Sequence, residues 1–87
     1  MHKILLVEDD PVIRQQVGKM LSEWGFDVVM VEDFMEVLTI FVQSEPHLVL
    51  MDIGLPLFNG YHWCQEIRKI SKVPIMFLSS RDQAMDI

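Results

Sequence analysis

Leu48-Val49-Leu50-Met51-Asp52 leads into Ile53-Gly54-Leu55-Pro56-Leu57-Phe58-Asn59-Gly60, so an apolar run ends on an acid and the chain then breaks up on Gly54, Pro56, Asn59 and Gly60. The apolar run has the length of a buried strand, here residues 47–51. A carboxylate at the edge of a core is costly unless something pairs with it. The identity of Asp52's partner therefore decides what the chain does.

Working outward, residues 3–7 (KILLV) form another short continuous apolar run, the pattern of a strand covered on both faces. Asp10-Pro11 has the form of an N-cap followed by Pro at the first helical position. Ile13, Val17, Met20, Leu21 and Trp24 recur at helical spacing, and Gly25 ends that helix. Residues 27–31 (DVVMV) make a second strand. Asp33 and Glu36 are spaced as a capping box ahead of a second helix, with Phe34, Val37, Leu38, Phe41 and Val42 on its apolar face. Residues 61–70 carry a third helix and residues 74–78 (PIMFL) a fourth strand, while 82–87 open one more helix. The order βαβαβαβ predicts a parallel sheet with helices on both faces. In such sheets, sites form beyond the carboxyl ends of the strands.

The composition fits one small domain: 87 residues, 51% hydrophobic, 23% charged, with no linker or internal boundary. A net charge of −6 disfavours nucleic-acid binding by this domain and fits a cluster of acids awaiting a cation. The single Cys64 forms no internal disulfide, and MHKILLVEDD is too short an apolar run for a signal or a membrane span. The expected location is the cytoplasm.

The first strand also ends in acids, Glu8, Asp9 and Asp10. If the first and third strands are neighbours, Glu8, Asp9 and Asp52 converge. Like charges that close repel, and a hard divalent cation resolves the repulsion; Mg2+ takes oxygen ligands from one or two carboxylates plus phosphate. The first turn lacks a Gly-rich phosphate cradle. Asp52 is then a candidate nucleophile forming an aspartyl phosphate, and Ser79, after the fourth strand, a donor to a phosphoryl oxygen.

ILLVEDDP, LVLMDIGLPLFNG and PIMFLSS together resemble the receiver domain of two-component response regulators, in the branch whose receiver precedes a winged-helix DNA-binding domain. FLSSRD and GYHWCQEIRK are similar to regulators of cell-envelope and antimicrobial-peptide stress. The resemblance implies a flavodoxin-like (CheY-like) doubly wound sheet of strand order 2-1-3-4 and phosphorylation of Asp52 by a sensor histidine kinase. It implies Asp9 as a direct Mg2+ ligand, Glu8 acting largely through water, and the Gly54 carbonyl as a further ligand. It makes Ser79, rather than the adjacent Ser80, the switch hydroxyl. Gly54 and Arg81 fall where the family varies residues that tune phosphoryl lifetime. Asp10 keeps its reading as an N-cap.

Relatives of this kind have the size of a common domain, about 100–150 residues. The chain is thus expected to be a receiver over residues 1–87 that is incomplete at its carboxyl end, with no DNA-binding domain. It stops short of the fifth strand, with its Lys and aromatic switch residue; Lys3, Lys19, Lys69 and Lys72 stand elsewhere. Phosphotransfer is expected to be weakened or lost even where Mg2+ still binds, and self-association is expected through an exposed fourth-strand edge. DNA would be reached only through an output domain outside the chain. The competing reading is a degenerate receiver acting as an unphosphorylated dimerisation module. A phosphohydrolase ranks low, because Gly54 stands where a second acid is wanted. Cys64, the Met residues, Phe34 and Phe41, Trp24 and Trp63 are read as packing residues, and His2, His47 and His62 share no metal-ligand spacing.

Overall fold

In a computed structural model, residues 2–78 are described. The elements run β1 (Lys3–Val7), α1 (Pro11–Glu23), β2 (Asp27–Met30), α2 (Val37–Ser44), β3 (Leu48–Asp52), α3 (Gly60–Arg68) and β4 (Ile75–Leu78). The strands pair in parallel in the order β2-β1-β3-β4. This is the doubly wound arrangement and the strand order expected from the sequence.

The unbroken apolar runs of β1 and β3 are explained by two cores, one on each face of the sheet. Leu5, Val7, Val49 and Met51 point to one face and pack with Val37 and Phe41 of α2 and Trp63 and Ile67 of α3. Ile4, Leu6 and Leu50 point to the other and meet Leu21 of α1. Side chains alternate along a strand, so every residue of these runs finds a core.

Local chemistry sets the helix ends. The Asp10 side chain accepts from the amides of Val12 and Ile13 at 2.9 and 3.3 Å, capping α1 as expected. Gly25, at φ 94°, turns the chain out of it. The α2 helix ends on Glu45 at φ 49°, a left-handed position usually given to Gly. Asn59 caps α3 by accepting from the His62 amide at 3.0 Å.

Some expectations fail. Asp33 and Glu36 form no capping box. The Asp33 carboxylate takes the Met35 amide at 3.0 Å and its carbonyl takes the Glu36 amide at 3.0 Å, closing a turn before the helix. The short acid side chain bonds its own local backbone in competition with a helical start, so α2 begins at Val37 and Phe34 lies in the turn. Trp24 is not a packing residue: as the C-cap of α1 it is 66% exposed. Of the Met residues, Met51 is buried, but Met20, Met35 and Met76 are exposed. Cys64 is half-buried, and Ile70 and Val42 face solvent. The expected opening of a fourth helix over 82–87 lies outside the described residues.

Candidate functional site

The register of the central strands builds the site. Leu6 lies opposite Leu50 and Val7 opposite Met51, so one step further Glu8 stands beside Asp52. Both follow the parity of Ile4, Leu6 and Leu50, which puts them on the α1 side of the sheet, at its carboxyl edge. The sharp turn into α1 keeps Asp9 next to them. Carboxylate oxygens of Glu8, Asp9 and Asp52 lie within 4.8 Å of one another. These three expected ligands are thus brought together.

Glu8 and Asp52 are fully buried and Asp9 is half-buried. Each buried carboxylate has one oxygen held and one without a partner. Glu8 Oε2 accepts the Asp10 amide at 3.1 Å, and Asp52 Oδ1 accepts the Gly54 amide at 3.2 Å. Glu8 Oε1 and Asp52 Oδ2 have no hydrogen-bond partner. Burial, reinforced by the neighbouring Asp52 and offset by the Asp10 amide, pushes the Glu8 carboxyl up to about 7. Burial also raises Asp52, and Asp9 adds to the shift while the Gly54 amide opposes it. Buried acids with unpaired oxygens lack a cation.

No lysine among the described residues supplies it. Lys3 Nζ donates to the Ser44 carbonyl at 2.9 Å, at the opposite edge of the sheet, and Lys69 pairs with Glu66 at 2.9 Å on the surface of α3. The donor set is all oxygen, with neither imidazole nor thiolate. That chemistry suits a hard divalent ion such as Mg2+.

Gly54, the expected carbonyl ligand, lies in the loop after β3 and meets Asp52 through its amide. Ser79 and its competitor Ser80, with Arg81, lie outside the described residues. Leu78, the last residue before Ser79, pairs in register with Asp52.

Two contributors escaped sequence reading. Gly60 presses on Asp52: a Cβ at Gly60 would collide with the Asp52 carbonyl oxygen. Arg14 reaches back over the first turn, donating from Nη1 to the Glu8 carbonyl at 3.2 Å. Its position four residues after the Asp10 cap was the available signal, since that spacing returns a long side chain to the turn.

The sequence matches the family profile for the response regulator receiver domain over residues 4–87. It is 46% identical over 84 residues to the response regulator protein GraR of Staphylococcus haemolyticus, covering 97% of this chain and 38% of GraR. The chain therefore spans well under half the length of that relative. Among solved structures, the N-terminal domain of the nisin resistance regulator NsrR superposes with a TM-score of 0.84 at 38% identity, covering 98% of this chain and 75% of that one. The response regulator TrrA of Thermotoga maritima, in complex with Mg2+ and BeF, gives 0.87 at 32% identity, covering 99% and 76%. TrrA in complex with histidine kinase ThkA gives 0.82 at 34%, covering 92% and 70%. No helix among the described residues is long and apolar enough to cross a membrane.

Proposed function

This chain belongs to the response regulator receiver domain family, and on that premise we propose that Asp52 is its phosphoacceptor, taking a phosphoryl group from a sensor histidine kinase with Mg2+ as cofactor. The observation that carries the reading is the pair of buried, unpartnered oxygens, Glu8 Oε1 and Asp52 Oδ2, inside a cluster of three acids. When bound, Mg2+ offsets the negative charge that gathers on the transferring group.

The residues then divide the work. Ionised Asp52 attacks phosphorus through one carboxylate oxygen. As the O–P bond forms, the P–N bond to the kinase histidine breaks and its electron pair stays on the imidazole nitrogen. Asp9, Asp52 and the Gly54 carbonyl would hold the ion directly, with Glu8 acting through water. The Ser79 hydroxyl donates to a phosphoryl oxygen. The domain turns over no separate substrate; it is a phosphoacceptor that assists its own phosphorylation and dephosphorylation.

Residues 1–87 are assigned to one cytoplasmic receiver that regulates a winged-helix DNA-binding output domain outside the chain, and through it transcription under cell-envelope stress. The similarity to GraR and to the nisin resistance regulator supports that assignment. Self-association is assigned to β4, which pairs with β3 alone among the described residues and exposes Met76.

The test is labelling of the purified chain by an acyl-phosphate donor, read by intact mass. The expected result is slow, partial addition of one phosphoryl group that needs Mg2+ and is lost in Asp52→Asn. Label that persists in Asp52→Asn, or a parent chain that neither takes label nor binds Mg2+, overturns the reading.

A further inference from the structure

We propose that Arg14 is a positioning residue for the cation site: its guanidinium fixes the β1–α1 turn so that Glu8 and Asp9 face Asp52, without neutralising any of them. The inference rests on the reading of the three acids as a cation site.

A guanidinium on an acid-bearing turn can form a bidentate ion pair with a carboxylate. Arg14 takes a main-chain carbonyl instead. Its Nη1 binds the main-chain carbonyl of Glu8 at 3.2 Å, and the ion pair among the described residues is Lys69–Glu66, far along α3. The same turn is tied by four further bonds. The Arg14 amide donates to the Asp10 carbonyl at 2.8 Å, the Asp10 amide to Glu8 Oε2 at 3.1 Å, and the Val12 and Ile13 amides to Asp10 Oδ1 at 2.9 and 3.3 Å. Every bond but that of the Arg14 guanidinium joins groups two to four residues apart. The arginine alone ties the residue leaving β1 to a side chain a full turn into α1.

The arrangement leaves Glu8 Oε1 and Asp52 Oδ2 without partners. Arg14 thus holds the acid-bearing turn by its backbone and keeps the carboxylate oxygens open. A half-buried arginine is well suited to this, because its planar fork stays charged and loses little freedom per bond formed.

Two roles for Arg14 predict opposite signs. If it acts only as a nearby positive charge, removing it tightens cation binding. If it positions the turn, removing it loosens the ligands and weakens binding. Outer residues that orient metal ligands typically change affinity by about 10–100-fold when lost.

The experiment titrates MgCl2 into the 87-residue chain and its Arg14→Met and Arg14→Lys variants, by calorimetry and by tryptophan emission. Amide deuterium uptake over residues 8–12 is followed in parallel without metal. Arg14→Met should bind Mg2+ about tenfold more weakly, and its turn should exchange faster. Arg14→Lys, which keeps the charge and one donor, should recover part of the affinity. Equal or tighter binding in Arg14→Met overturns the proposal while leaving the cation site standing. A parent chain that binds no Mg2+ overturns the cation site itself. Should Arg14→Met not fold, Arg14→Gln carries the same comparison, with the same outcomes deciding.

Discussion

Gly60 packs directly against the main-chain carbonyl of Asp52, with no room for a side chain between them. The residue that starts α3 therefore braces the main chain that carries the Asp52 carboxylate. Met51 Cγ bounds the same space at 3.0 Å, and the Gly60 amide donates to the Ile53 carbonyl at 2.9 Å, so the glycine cannot retreat without losing that bond. Gly60→Ala should cost about 1–3 kcal/mol, the usual range for overpacking. Urea unfolding of the variant checks this. Unchanged stability together with unchanged Mg2+ binding would show that the loop gives way freely.

The acid pair makes stability depend on pH. The Glu8 carboxyl rises from an ordinary 4.5 to about 7 on folding, chiefly through burial, and Asp52 shifts the same way. The folded chain thus holds these protons more tightly than the unfolded chain. The Glu8 contribution is complete below pH 4.5 and is lost as pH rises through about 7, and Asp52 adds in the same direction. In chelator, the melting temperature should be lower at pH 8 than at pH 5.5, by several degrees if about 1 kcal/mol is involved. Saturating Mg2+ should shrink the difference, because it favours the ionised acids. Glu8→Gln should flatten the slope. A chelated protein that melts higher at pH 8 speaks against a buried, unpaired pair.

Leu57 has φ 70° and lies 71% exposed in the loop between β3 and α3, where the Phe58 amide donates to the Pro56 carbonyl at 2.8 Å. A branched residue in this region of backbone space is strained, whereas glycine is not. Leu57→Gly should stabilise the fold by about 0.5–1 kcal/mol, the left-handed penalty less the added freedom of the unfolded chain. Thermal melts decide it. A destabilised variant would place the loop in another conformation.

Among the described residues β4 pairs with β3 alone, and it exposes Met76 at 58% and Phe77 at 38%. Sedimentation velocity of the 87-residue chain should show association that grows with concentration. Met76→Lys should reduce it, since a lysine on an edge strand opposes pairing with another chain. A single slow species at all concentrations in the parent chain removes this assignment.

Much of this was legible in the sequence because each signal was local. The strands announced themselves as apolar runs, Asp10-Pro11 as a cap, and the acids as a pattern ending two strands. Where reading failed, a competing contact decided the outcome. Asp33 was free to bond its own turn, so a spacing suited to a capping box made none. Trp24 sits where α1 has already ended, so its helical spacing says nothing of burial. Arg14 and Gly60 act on main-chain carbonyls six and eight residues back, and such contacts leave no trace in hydrophobic pattern. The pairing of Val7 with Met51, on which the meeting of Glu8 and Asp52 depends, is a property of the assembled sheet.

That pairing has a genetic corollary. The two faces of β3 are both filled, so Asp52 reaches the acid cluster by counting: an even number of steps from Leu48. Exchanging one aliphatic for another along the strand leaves the count intact. Inserting or deleting a single codon between Leu48 and Asp52 flips the carboxylate to the opposite face, among Val37 and Trp63, and separates it from Glu8. The chemistry is therefore tolerant of spelling but not of reading length, and surviving variants of this gene should carry substitutions there and no single-codon gaps.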